Sequence, residues 1–212
     1  MTVTFQELQE AVIEGQNKRA ARLVGQALAD GLPAVEILNL GLTPAMAEVG
    51  RLFERGELFI PEMMLAARAM REGIEILKPH LKQGDVKRVG KTVITTVEGD
   101  LHDIGKNLVT IMVGGAGFEV VDLGVDVSPQ RIIEALRTEK PDVLMLSALI
   151  TSTLNSMRTT IQAIEEAGLR EQVKILVGGA PVTESFAQQI GADGYAPDAA
   201  GAARVALRVI GK

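Results

Sequence analysis

The sequence predicts an α/β protein in two parts. A helical bundle over residues 1–83 precedes a five-stranded parallel sheet, with helices on both faces, over residues 91–212. Three observations predict it. Apolar residues in the first part recur at helical spacing only. The polar stretch "KPHLKQGDVKR", Lys78–Arg88, contains Pro79 and Gly84, and residues 84–90 read as a linker. After Val89, short β-branched runs alternate with amphipathic segments, the pattern of successive βα units.

In the first part, "FQELQEAVIEG" sets Phe5, Leu8, Val12 and Ile13 on one helix face. "NKRAARLVGQALADG" does the same with Ala20, Leu23, Val24 and Leu28, and Gly31 supplies a stop. A third helix starts with Pro33 in its first turn and runs toward Glu54, with a bend expected at Pro44. Pro61 opens a long fourth helix. The connections are short, so neighbouring helices should be antiparallel.

In the second part, "KTVITTV" is a buried strand by its β-branched content. A helix from about Ile104 to Gly114 follows, then the strand "FEVVDLG". "SPQRIIEALRTEK" is a helix with Ser128 as N-cap and Pro129 in its first turn. "PDVLMLSALI" is the third strand, and the helix after it runs to about Ala167. "VKILVGG" is the fourth strand and "TESFAQQIG" the next helix. A short fifth strand, Gly194–Ala196, leads to a last helix, Asp198–Val209. In a flavodoxin-like (Rossmann-like) strand order, the first, third and fourth strands are neighbours.

Composition narrows the function. Hydrophobic residues are 47% of the chain, enough for a core. A formal charge of −5 argues against a nucleic-acid surface, which needs clustered Lys and Arg. Aromatics are only 3%, with no Trp, so base-stacking platforms are not expected. The chain has no Cys, which excludes disulfides and thiolate metal sites and suits the cytoplasm. "MTVTFQELQEAVIEG" does not read as a signal peptide. No apolar run approaches the roughly 20 residues of a membrane span.

Parallel sheets of this kind bind ligands beyond the carboxyl ends of their strands. Three strand-end loops carry residues that folding does not require. The first holds Asp100, His102, Asp103 and Gly105; the third holds Ser147, Leu149, Thr151, Ser152 and Thr153; the fourth holds Gly178 and Gly179. Each has a plain reading: a surface histidine, capping acids, a Ser/Thr cap, a glycine turn. Their convergence on one sheet edge favours a site. Other motifs fit worse. "GGAG" at Gly114–Gly117 ends a helix instead of opening one, and neither a P-loop nor a G-x-S-x-G elbow is present. A zinc site needs more donors than His102 offers, since the other histidine, His80, falls in the linker stretch. A receiver domain would want an Asp where Ser147 stands. What remains is one nitrogen ligand, a carboxylate to orient it, nearby hydroxyls, and glycines that admit something bulky. That describes a large cofactor with one open metal position.

Asp100-x-His102-x-x-Gly105, then Ser147-x-Leu149, then Gly178-Gly179, resembles the signature of domains that bind cobalamin base-off, His-on. "VGRLFERGELFIPEMMLAA" in the helical half resembles the cap bundle of methionine synthase and of methyltransferase corrinoid proteins. Together the two cover nearly the whole chain. It is similar to the small stand-alone corrinoid proteins that shuttle methyl groups from methylamines, methanol, glycine betaine or methoxylated aromatics.

The resemblance implies a role for each matching residue. His102 would be the lower axial cobalt ligand, and Asp100 would take the proton of its other ring nitrogen. Thr153 stands where methionine synthase has a relay serine; its hydroxyl remains but its rotamer is restricted. Asp103 and Ile104 belong to the same cofactor loop, with Asp103 also read as a helix cap, and Gly105 gives room. Ser147, Leu149 and Thr151 would line the slot for the displaced base. Gly178 and Gly179 would let the nucleotide tail pass, with Tyr195 and Ala196 bordering it. In the helical cap, Phe59, Met63 and Met64 would cover the methyl face. Methyl transfer would make and break the His102 bond, and the cap would move aside on a flexible Pro79–Arg88 linker.

The implied function is a corrinoid (cobalt) protein carrying a methyl group from a substrate-specific methyltransferase to a second methyltransferase, whose acceptor is tetrahydrofolate or coenzyme M. A reductive activating protein is a third candidate partner. Little turnover is expected of such a carrier alone, so calling it an enzyme is a matter of definition. The alternatives are a mutase small subunit, which lacks this helical cap, and a cobalamin-dependent sensor. A sensor usually adds a basic DNA-binding domain, for which residues 1–83 leave no room.

Overall fold

A computed structural model describes residues 3–81 and 89–212. The chain divides into two compact units, Met1–Lys87 and Arg88–Lys212.

The first unit is helical. α1 (Phe5–Ile13) opens with a capping box, in which the Thr4 hydroxyl accepts the Glu7 N–H and the Glu7 carboxylate accepts the Thr4 N–H at 3.0 Å. α2 (Asn17–Ala29) follows, then α3 (Ala34–Glu36), a π-helical segment Ile37–Leu42 and α4 (Thr43–Glu54). The irregularity expected at Pro44 therefore begins before it, in the π-helical stretch, and Pro44 sits in the first turn of α4. The reason is local. Pro44 has no N–H to give the Leu40 carbonyl, so the ladder widens and Thr43 N–H reaches back to Leu38 instead. The Leu40 carbonyl accepts the Gln9 side-chain amide at 2.7 Å. α5 (Ile60–Leu77), with Pro61 in its first turn, buries Met63, Ala66, Ala67, Met70, Gly73 and Leu77 along one stripe.

Most of the linker expected at 84–90 lies outside the described residues. Val89 and Gly90 already join the second unit: Val89 N–H donates to the Gly117 carbonyl at 3.1 Å, and Glu119 N–H donates to Gly90 at 2.9 Å. Of the stretch Pro79–Arg88, Pro79 and His80 lie in a 3-10 turn that ends α5, and residues 82–88 lie outside the described residues.

The second unit is a five-stranded parallel sheet in the order β2-β1-β3-β4-β5, formed by β1 (Lys91–Thr96), β2 (Glu119–Asp122), β3 (Val143–Ser147), β4 (Lys174–Gly178) and β5 (Gly194–Ala196). α6 (Ile104–Gly115) and α10 (Ala199–Val209) pack against each other on one side. α7 (Pro129–Glu139) and α8 (Leu154–Glu166) pair on the opposite side, and α9 (Glu184–Gln189) lies against β5. The side chains of Val93, Leu144 and Ile175 share one register row and enter the core with Ile132, Met157 and Ile161. Doubly wound sheets bury both faces, which is why these strands read as unbroken apolar runs.

Strand ends set the site. Thr96, Ser147, Gly178 and Ala196 occupy one register row at the carboxyl edge. The third strand stops at Ser147, short of the expected Ile150. The N–H groups of Leu149 and Ile150 turn away from the ladder toward a carboxylate, and Thr151–Thr153 form a 3-10 turn into α8.

Candidate functional site

The loop after β1 turns sharply at Gly99, whose φ of +84° suits a residue without a side chain. Asp100 follows, its N–H held by the Val97 carbonyl at 3.1 Å and its side chain 0% exposed. A buried carboxylate needs donors, and the fold supplies them from two loops. Oδ1 accepts the His102 backbone N–H at 3.1 Å and the His102 ring Nδ1–H at 2.7 Å. Oδ2 accepts the Leu149 N–H at 2.7 Å, the Ile150 N–H at 3.4 Å and the Thr153 hydroxyl at 2.9 Å. Burial pushes the Asp100 carboxyl up. The amides of Leu149 and His102, the His102 ring and the Thr153 hydroxyl outweigh it and hold the group well below the usual carboxylate range.

An ionised carboxylate only accepts, so the proton on the His102 ring sits on Nδ1 and the Nε2 lone pair is left for a ligand. The ring is 52% exposed, and no hydrogen bond among the described residues occupies Nε2. A second contact steadies it: the Thr96 hydroxyl donates to the His102 carbonyl at 2.9 Å. In the same loop Leu101 and Ile104 are 73% and 74% exposed, and Leu149 and Ile150, whose amides bond to Asp100, are also presented to solvent. Large apolar side chains left in the open on these two loops mark a surface built for a ligand.

This donor set tests the cofactor. Among the described residues there is no group of three or more His, Cys, Asp or Glu side chains that could hold a bare ion. A metal taken by His102 alone must bring its remaining ligands with it, as a metal in a macrocycle does. A flat, largely apolar macrocycle suits the exposed Leu and Ile side chains, and Gly105 leaves open space beside them. The residues fit a corrinoid.

The other expected site residues separate. Thr153 reaches Asp100, and its buried hydroxyl also lies 2.9 Å from the Ile150 carbonyl, so its single proton has two acceptors. The charged one is the stronger. Thr153→Val is expected to lower stability by about 1–2 kcal/mol in denaturant unfolding, and Thr153→Ser to restore most of it. Asp103 occupies the N-cap position of α6, but its carboxylate accepts the Asn107 side chain at 3.1 Å in place of a helix N–H. Ser147 and Gly178 meet in the edge row with Ala196, while Leu149 and Thr151 are exposed beyond it. A Cβ on Gly178 would stand 3.0 Å from the Ala196 carbonyl oxygen, and one on Gly179 would stand 1.9 Å from the Ala148 carbonyl oxygen. Gly179 is therefore required by the protein's own backbone, whereas Gly178 is only tightly fitted.

Packing sets two of the expected residues apart from the rest. Tyr195 pairs with Val177 and packs on the hydrophobic core, on the sheet face opposite Gly178 and Ala196, because side chains alternate along a strand. Met63 is fully buried in the core stripe of α5, whereas Phe59 and Met64 are exposed together with Ile60 and Leu65.

Sequence reasoning missed two contributors. The Leu149 and Ile150 amides are backbone groups, which no residue type advertises. Thr96 reads as one more β-branched strand residue.

The chain is similar to known proteins along nearly its whole length. Residues 90–204 match a family model described as "B12 binding domain", and residues 4–78 match a second model of the same description. The dimethylamine corrinoid protein 3 of Methanosarcina acetivorans is 44% identical over 204 residues, covering 96% of this chain and 95% of that protein. The trimethylamine corrinoid protein of Methanosarcina barkeri is 42% identical over 205 residues, covering 94% of each. Among solved structures, a cobalamin-binding protein from Desulfitobacterium hafniense superposes with a TM-score of 0.83 at 33% identity, covering 99% of this chain and 100% of that one. The methanol:cobalamin methyltransferase complex MtaBC of Methanosarcina barkeri gives 0.87 at 32% identity, covering 98% of this chain and 80% of the matched one.

Proposed function

Since the chain belongs to the B12-binding corrinoid proteins, we propose that it takes a methyl group from a substrate-specific methyltransferase and delivers it to a second one. The observation that carries the reading is the exposed imidazole whose inner nitrogen is bonded to the fully buried Asp100. The corrinoid cobalt supplies the centre that accepts and donates the methyl group; the protein supplies its ligand, orientation and shielding. His102 would hold the cobalt through Nε2, the ring nitrogen that Asp100 leaves free. Asp100 keeps the proton on Nδ1 and raises the donor strength of the outer nitrogen. Thr153 steadies the Asp100 carboxylate. Asp103, Ile104, Gly105, Ser147, Leu149, Thr151, Gly178, Gly179 and Ala196 belong to the loops and edge beside the cofactor.

The relatives named for dimethylamine and trimethylamine favour a methylamine as the ultimate donor. Tetrahydrofolate or coenzyme M is the acceptor class, and a reductive activating protein is a third partner. No helix among the described residues is long and apolar enough to cross a membrane, and a cytoplasmic setting belongs to the same reading.

The test is reconstitution with methylcobalamin. The wild type is expected to bind it with a histidine-ligated absorption spectrum. His102→Ala is expected to abolish that spectrum while remaining folded, at a cost of about 1–2 kcal/mol for the bond lost to the buried Asp100. Absence of binding by the wild type, or an identical spectrum in His102→Ala, would overturn the reading.

A further inference from the structure

The β2–α7 loop holds a residue that neither the strand nor the helix explains. Asp126 has a φ of +53°, a left-handed conformation uncommon for a residue with a side chain, though Asp tolerates it better than most. It is not the cap of α7: Ser128 is the N-cap, its hydroxyl accepting the Arg131 N–H. The Asp126 side chain runs the other way. Its Oδ1 accepts the Gly99 N–H at 2.7 Å, and its own N–H donates to the Asp100 carbonyl at 3.0 Å. One residue thus grips both ends of the Gly99–Asp100 segment. With the Val97 carbonyl already holding the Asp100 N–H, both backbone polar groups of Asp100 are fixed. The neighbouring loop is stitched down as well: Thr96 N–H donates to Gly124 at 3.0 Å, and Val127 N–H to Thr96 at 3.2 Å.

We propose that Asp126 is a positioning residue for the His102 ligand, acting through the Gly99–Asp100 backbone. The proposal rests on the reading of His102 as the cobalt ligand. The side chain of Asp100 is held by the β3-end loop and by His102, but the direction from which it enters is set by its backbone. That backbone lies in a glycine turn, which would otherwise be free to swing. Asp126 removes the freedom from outside, with a charge-assisted bond to the Gly99 N–H. Ligand orientation is sensitive to such outer contacts, because the imidazole is aimed only as well as the carboxylate behind it.

Three substitutions separate the causes. Asp126→Asn keeps an acceptor oxygen and tolerance of positive φ. Asp126→Gly keeps the backbone conformation and drops the bond. Asp126→Ala drops both. In methylcobalamin-loaded protein, the ratio of histidine-ligated to histidine-free cobalt, read by absorption, is expected to fall about three- to tenfold in Asp126→Gly, the span of one such hydrogen bond. Asp126→Asn is expected to stay within about twofold, and Asp126→Ala to fall at least as far as the Gly variant. In cofactor-free protein, the Gly99 amide proton should move upfield and the His102 Nδ1–H resonance should broaden in Asp126→Gly, with thermal unfolding confirming that the variant is folded. A wild-type ratio and an unbroadened Nδ1–H resonance in Asp126→Gly would overturn the proposal. So would an Asp126→Asn variant as impaired as the Gly variant, since the acceptor would then not be what matters. If the wild type shows no His102-dependent spectrum, the ligand reading has failed and the positioning claim with it, whereas a normal wild-type spectrum with insensitive Asp126 variants sinks the positioning claim alone.

Discussion

An Asp100→Ala protein is expected to lose about 2–4 kcal/mol of stability and its histidine-ligated cobalt spectrum together. Every contact of the Asp100 side chain comes from a donor: the amides of Leu149, Ile150 and His102, the His102 ring and the Thr153 hydroxyl. Removing the carboxylate strands those that have nowhere else to go. Thr153 can turn to the Ile150 carbonyl at 2.9 Å, but the Leu149 amide cannot turn. Asp100→Asn should be little better, although it keeps the shape. With its NH2 group at the Oδ2 position, the amide faces the Leu149 N–H. With NH2 at the Oδ1 position, it faces the His102 N–H and makes Nδ1 an acceptor, which moves the ring proton to Nε2, the nitrogen needed by the metal. Denaturant unfolding and reconstitution with methylcobalamin measure the two losses. The pH dependence has a definite sign. The carboxyl is depressed in the folded protein, so its contribution is fully present above the ordinary carboxylate value of about 3.9 and is lost as pH falls through the depressed one. The carboxylate's contribution to the stability gap between wild type and Asp100→Ala should therefore decline only as pH falls below about 4.

Gly179→Ala is expected to cost about 4 kcal/mol or more, and to lower the unfolding temperature by roughly 10 °C. The new Cβ would stand 1.9 Å from the Ala148 carbonyl oxygen and 2.8 Å from its carbon, and φ at Gly179 is +122°. The obstacle is backbone and cannot rotate away. Ala148 N–H already donates to the Gly178 carbonyl at 3.2 Å, so relief means parting the ends of β3 and β4. Gly105→Ala is the control. Nothing lies within 4 Å of its Cβ, and it sits in the first turn of α6. It should leave stability unchanged or raise it by up to about 1 kcal/mol. Any loss of corrinoid binding in that variant would then report on the cofactor and not on the fold. The two glycines look alike as sequence motifs and are glycines for different reasons.

Much of this was legible in the chain. The helical spacing of Leu8, Val12, Ala20 and Val24, and the β-branched runs from Lys91 onward, are local signals, and they place most helices and strands within a residue or two, the end of β3 and the interrupted Pro33–Glu54 helix excepted. The parallel order followed from the alternation of strand and helix, and the ligand edge followed from the order. Elsewhere the local signal was outweighed. Pro44 marked a bend but not its form, because the π-helical stretch also depends on Gln9 reaching the Leu40 carbonyl from α1. Met63 and Met64 are adjacent and chemically identical, and only the packing of α5 decides which one is buried.

By itself, the sequence determined which residues would stand at the carboxyl ends of β1, β3 and β4, because strand and helix periods repeat over a few residues and are written along the chain. Only the tertiary structure decided what those residues do to one another. Asp100 and the Leu149 amide are 49 residues apart, and Gly99 and Asp126 are 27 apart. The bonds between them join backbone groups whose direction depends on φ, ψ and register. A histidine between two acids becomes an aimed ligand only when one acid is buried and the other is not, and burial is a property of the folded whole.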